Sequence, residues 1–196
     1  MANLATTEYK ITGTQNAVKN LWTALENLNV NKEDVYLDSL AEYYKIDYEK
    51  KCIGVRGHIY WAEYEEDPNN DYYLLSFETE TAWDACNELF DVINDILQNE
   101  LSISYRLCES GCEIYHVHDE GSFFPEKVAV CSNGELFEDD SWESFYLTLK
   151  DAINKWCEKM NIQQDNRTDE EMMDFINNYE YDNDDTYFSI IKFTIE

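Results

Sequence analysis

The succession of hydrophobic periods over residues 8–107 restricts the fold more than any other feature of this sequence. "EYKITGT" alternates with a period of two and ends in a glycine turn. "QNAVKNLWTALENL" then places Val18, Leu21, Trp22, Leu25 and Leu28 at helical spacing. "NKEDVYLDSLAEYYKI" predicts a short second helix, with Asn31 as N-cap and Leu37, Leu40, Ala41 and Tyr44 on its apolar face. "CIGVRGHIYWAEYEE" and "YYLLSFETE" flank the turn "DPNND" and predict a hairpin. "WDACNELFDVINDIL", residues 83–97, returns to the helical period, and "LSISYRLCE" to the strand period. With the additional helix set aside, the order is βαββαβ. That order predicts a ferredoxin-like α+β unit, an antiparallel sheet with two helices over one face.

The rest of the chain is expected to extend this sheet and to add helices. "CEIYHVHD" and "EKVAVCS" read as further strands. "DDSWESFYLTLKDAINKWCEKM" predicts one long helix, with Asp140 and Glu143 as a capping box and Trp142, Phe145, Leu149, Ala152, Ile153 and Trp156 on its buried face. Thr168 and Glu171 form a second such box ahead of "MMDFINNYEY", and "TYFSIIKFTIE" reads as a closing strand. The expected organisation is a ferredoxin-like core with an extended sheet over 1–134. A C-terminal helical extension with a final strand, 135–196, packs on it to make one compact unit.

Charge sets the class of partner. The chain carries 42 acidic and 14 basic residues, a net charge of −28, while hydrophobic residues reach 44% and so suffice for a packed core. Direct nucleic-acid binding and binding to anionic membranes are not expected, because both need a positive footprint. No apolar run approaches the roughly 18 residues that span a bilayer. "MANLATTEYK" lacks the apolar stretch of a secretory signal, so a reduced, cytoplasmic location is expected for the six cysteines.

The acids are not evenly spread. Between Arg56 and Arg106 there is no Lys or Arg, against twelve Asp and Glu. On the helix expected at 83–97, Asp84, Glu88, Asp91 and Asp95 fall at spacings of four, three and four, a stripe about 16 Å long. Like charges so spaced cost a few tenths of a kcal/mol per pair. An uncompensated field of this length points to a partner-facing surface, which Glu63, Glu65, Glu66 and Asp67 on the hairpin would extend. Trp61, with Tyr60 and Tyr64, would add aromatic anchors among the acids. Such a surface resembles the phosphate array of DNA, which carries a charge about every 1.7 Å of axis.

Two metal readings arise. Cys108, Cys112, His116 and His118 have ligand types that suit zinc, although their spacing is not a standard zinc pattern. "DNDD" at 182–185 suggests calcium, but an EF-hand loop counted from Asp182 would need Gly and Glu where Tyr187 and Phe193 stand. No phosphate-binding loop, dinucleotide fingerprint or nucleophile elbow is present, so an enzyme is not expected.

Several motifs resemble the Api92-like proteins of phages, plasmids and bacterial islands. "NLATTEYKITGT" with its helix is similar to that family's opening, an Asn ahead of a strand ending in "TG". "FETETAWDACNELFDVI" resembles its Thr- and Trp-containing segment. "YRLCESGCEIYHVHDEG" resembles its strand, "E-x-G" turn and return strand, here Glu109 and Gly111. Asp84 and Ala85 stand where the family usually has a Pro. The likeness covers roughly residues 3 to 121. It implies a ferredoxin-like fold and a mobile-element origin, and no particular activity.

Together these readings predict a non-enzymatic acidic interaction protein. Its partner would be a basic host protein, such as a nucleic-acid-binding or defence protein inhibited by nucleic-acid mimicry. A Cys/His metal module or enzyme, and an assembly protein whose charge serves only solubility, are the alternatives.

Overall fold

Strand β1, Leu4–Gly13, is sheltered on one side and half-open on the other: Ala5, Thr7, Tyr9 and Ile11 are fully buried, and the residues between them are not. The computed structural model describes residues 3–137 and 143–195 of the chain, an α+β protein with mostly antiparallel strands. After β1 come α1 (Gln15–Asn27), β2 (Val35–Tyr36), α2 (Leu37–Tyr43) and α3 (Tyr48–Lys51). The hairpin β3 (Gly57–Asp67) and β4 (Tyr72–Ala82), helix α4 (Asn87–Ile96), and strands β5 (Leu101–Glu109) and β6 (Ile114–His118) follow. In this part the strands lie in the order β6-β5-β1-β4-β3-β2. Every pairing along β1 and the hairpins is antiparallel, with Tyr9 opposite Phe77 on one side and Tyr105 on the other.

One core joins helices and sheet. Ala17, Leu21 and Leu25 of α1, Leu37 and Leu40 of α2, and Leu89, Phe90 and Ile93 of α4 cluster with Tyr9, Ile11, Leu75 and Phe77. Thr14 caps α1 by accepting from the amide of Ala17. The cap expected at Asn31 is not used. Helix α2 starts at Leu37 with no side-chain cap, and Asn31 instead accepts from the amide of Ala62 on β3. Strand β2 pairs with β3 only at His58 and Ile59, so among the described residues Trp61–Asp67 form an edge with no strand on the side away from β4.

The chain divides into two compact units at Phe124/Pro125, ahead of the boundary read from sequence. The second unit has a sheet of its own, and the strand expected from "EKVAVCS" lies in it. Its strands are β7 (Val128–Asn133), β8 (Glu143–Tyr146) and β9 (Tyr187–Lys192), in the order β8-β7-β9. Helices α5 (Leu149–Met160) and α6 (Asp169–Asn177) bury Ile153, Trp156, Met172 and Ile176 against Val128, Val130, Phe188 and Ile190.

The single helix expected over 139–160 is therefore corrected. "ESFY" pairs with β7 as a strand, and Phe145 meets the ring of Phe193 at 5.8 Å instead of lying on a helix face. Aromatic content and a free strand partner outweigh the helical spacing here. The working capping box is Thr148 with Asp151, and Glu143 lies at the start of β8 instead. Asp140 and Trp142 lie outside the described residues. The box at Thr168 and Glu171 forms as expected. No helix among the described residues is long and apolar enough to cross a membrane.

Two consequences for stability can be measured. Thr148→Ala removes a cap worth about 1 kcal/mol and should lower the urea midpoint accordingly. Thr7 and Thr79 stand opposite each other with buried hydroxyls that have no hydrogen-bond partner. Replacing either by valine should raise stability by about 1 kcal/mol, because an unpaired buried hydroxyl is removed at nearly constant shape.

Candidate acidic interaction surface

Helix α4 begins later than its hydrophobic period suggests. Thr81 donates through Oγ1 to the carbonyl of Asp84 (2.7 Å), and the Asp84 carboxylate accepts from the amide of Ala85 (2.8 Å). These bonds fold 83–85 into a turn. Trp83 sits in the left-handed region with φ 76°, a conformation that costs about 1–2 kcal/mol for a residue with a side chain. Asp84 is thus off the helix, and Trp83 is 49% exposed. Glu88, Asp91 and Asp95 remain as exposed carboxylates on α4.

The stripe is also less bare in space than in sequence. Lys45, Lys50 and Lys51, from the α3 segment, line the same depression as Asp95, beside the C-terminal end of α4. Cations there also complement the helix dipole. At the other end of that helix face, Glu88 is exposed and has no ion pair among the described residues. Asp91 faces a different neighbourhood, with Tyr105, His118 and Glu120. Burial, reinforced by the charge of Asp95, pushes its carboxyl above the usual carboxylate range, and His118 offsets this only in part.

The hairpin acids take separate roles. Ala62 and Tyr64 belong to the helix-facing core, so strand alternation puts Trp61, Glu63 and Glu65 on the opposite face of the sheet. Trp61 donates through Nε1 to Glu78 (2.9 Å), while Glu63 and Glu65 are exposed. Glu66, on the helix side, accepts from the Tyr64 hydroxyl (2.9 Å) and pairs with Lys19 (3.2 Å), which together lower its pKa. Asp67 is a turn residue that accepts from the amide of Asn69 and the side chain of Asn70. The hairpin acids therefore do not extend the α4 stripe into one field. Glu63, Glu65 and Trp61 lie across the sheet from α4.

The candidate zinc residues are not brought together. Leu107 pairs with His116 and Tyr105 with His118, on the helix side, whereas Cys108 alternates to the other face. Cys112 lies in the β5–β6 turn, where its Sγ accepts from Asn3 (3.2 Å). Among the described residues no group of three or more Cys, His, Asp and Glu is arranged to hold a metal ion.

Sequence reasoning missed two assemblies. The first is the cleft around Asp91, whose walls come from α4, β5 and the end of β6. Only strand register could have revealed it. The second gathers Asn3, Trp83, Glu109 and Gly111 at one end of the sheet. Trp83 donates its amide to the carbonyl of Asn3 (2.9 Å), and buried Glu109 accepts from the amides of Gly111 (2.9 Å) and Cys112 (2.8 Å). A Cβ at Gly111 would stand 2.7 Å from Nδ2 of Asn3 and 2.8 Å from Oε1 of Glu109, so those side-chain ends would have to shift to admit one. Comparison with protein-family models, curated proteins and solved structures finds no match to this chain.

Asp91 makes a pH prediction with a definite sign. Its pKa is raised on folding, so the native state takes up its proton first and the ionised carboxylate destabilises the fold at neutral pH. Asp91→Asn should be more stable than the wild type at pH 7. The difference should shrink as pH falls through the raised folded value towards the unfolded value near 3.9, and be absent below it. Urea denaturation across that range measures it.

Proposed function

We propose that this is a non-enzymatic, cytoplasmic interaction protein that engages a basic protein partner through carboxylates displayed on a rigid α+β scaffold. The observation that carries this reading is the exposure, without ion pairs among the described residues, of Glu63 and Glu65 on the β3 edge and Glu88 on α4. Several cations of the fold are paired elsewhere. Lys10 and Arg106 pair with Glu8, Lys19 with Glu66, Lys150 with Asp169 and Lys192 with Glu170. The remaining acids give a one-sign potential that attracts and orients a positively charged surface.

In its specific form the reading is nucleic-acid mimicry, with the partner's phosphate-binding groove as the target. The mobile-element origin implied by the Api92-like motifs supplies a reason for such a protein to act on a host nucleic-acid-binding or defence protein. The strand order β5-β1-β4-β3 with α1 and α4 supports reading the first unit as a ferredoxin-like βαββαβ core.

The test is affinity capture from lysate at about 50 mM and about 500 mM salt, with duplex DNA as competitor. A nucleic-acid-binding protein should be retained at low salt, released at high salt and displaced by the duplex. The double variant Glu63→Lys, Glu65→Lys should weaken its retention by about tenfold or more while keeping the wild-type unfolding midpoint. Retention unchanged by charge reversal, or no salt-sensitive partner at all, would leave the charge a matter of solubility.

A further inference from the structure

The cleft beside α4 is acidic, aromatic and free of any Lys or Arg in its lining. It encloses about 310 Å³ between the helix and the β5–β6 end of the sheet. Asp91 stands on the helical wall and Glu120 on the strand side. Between them the His118 imidazole lies nearly parallel to the Tyr105 ring, with centroids 5.7 Å apart and planes 27° apart. Phe90 adds apolar surface at the base, being almost fully buried.

The walls are held from behind. The Asn94 side chain donates to the carbonyl of Leu101 (3.0 Å) and accepts from its amide (2.9 Å), clamping α4 to β5. Asn87 accepts from the Tyr9 hydroxyl (2.7 Å) at the other end of the cleft. Glu120 receives the Ser102 hydroxyl on Oε2, while Oε1 lies 3.6 Å from Nε2 of His118. A site fixed in this way needs little reordering to receive a ligand.

We propose that this cleft is an anchor pocket for one arginine side chain of a basic protein partner, with the guanidinium laid against the His118 and Tyr105 rings and bonded by the carboxylates of Asp91 and Glu120. The proposal rests on the acidic-interaction reading and names the side chain that reading requires. A guanidinium is planar and weakly hydrated, presents a fork of donors to carboxylates and stacks on aromatic faces. An ammonium is compact and strongly hydrated, and uses neither the flat wall nor two carboxylates on separate walls as well. The raised pKa of Asp91 agrees, since burial and the charge of Asp95 disfavour its carboxylate and His118 offsets them only in part.

The test uses the isotopically labelled full chain and N-acetyl-arginine amide, a single small cation that senses a pocket more than a long-range field. Titration should move the His118 and Tyr105 ring resonances along a saturable curve, with N-acetyl-lysine amide at least about fivefold weaker. The double variant Asp91→Asn, Glu120→Gln should abolish the arginine response, and Glu26→Gln, Glu33→Gln, exposed acids outside the cleft, should leave it intact. Dispersed amide spectra check that each variant is folded. No arginine response, equal response to lysine, or a response that survives loss of Asp91 and Glu120 overturns the pocket. A nona-arginine peptide titrated in parallel separates the two levels. If it binds where the single arginine does not, the acidic surface stands without the anchor; if it too fails to bind, both fall.

Discussion

Tyr9 ties the first unit together. Its ring stacks on Phe77 of β4 at 4.8 Å, meets Phe90 of α4 at the same distance and Tyr105 of β5 at 5.9 Å, and its hydroxyl donates to Asn87. Each aromatic contact is worth about 0.5–1.5 kcal/mol beyond burial, and the hydroxyl finds a partner that a buried phenol needs. Because Tyr9 sits mid-strand in β1, it registers both neighbouring strands and the start of α4 at once. The position of every carboxylate on α4 follows from that contact set. So does the cleft, since Asn87, Phe90 and Tyr105 all line it.

Much of this arrangement was legible in sequence because it is local. The period-two runs of β1, β4 and β5 and the helical run of α1 appear close to where they were expected, and the "DPNND" turn joins β3 and β4. What could not be read were competitions decided by partners distant in sequence. "ESFY" has helical spacing with the residues after it, yet β7 offers it a ladder. Trp83 and Asp84 continue the period of α4, yet hydrogen bonds to Thr81 and Asn3 hold them in a turn.

The acidic stripe shows the same limit in electrostatic form. Charge density along a chain does not report charge density in space. Lys45, Lys50 and Lys51 are remote from Asp95 in sequence and adjacent in the fold, while Glu63 and Asp91 share a cation-free stretch and occupy opposite faces of the sheet. The hairpin acids were legible as exposed charge. Their division among edge, turn and ion pair was not, because it depends on the β-bulge at Tyr60, which shifts the register between Ile59 and Trp61.

The shortness of β2 carries a consequence of its own. Open strand edges invite a second copy to continue the sheet, and proteins commonly block this with charge. On β3 the block consists wholly of carboxylates, the same sign as the chain's net charge of −28. The guard on this edge and the mutual repulsion between molecules are therefore screened together as ionic strength rises. Concentrated salt removes both barriers to self-association at once, and a proline placed on that edge would keep one of them in force.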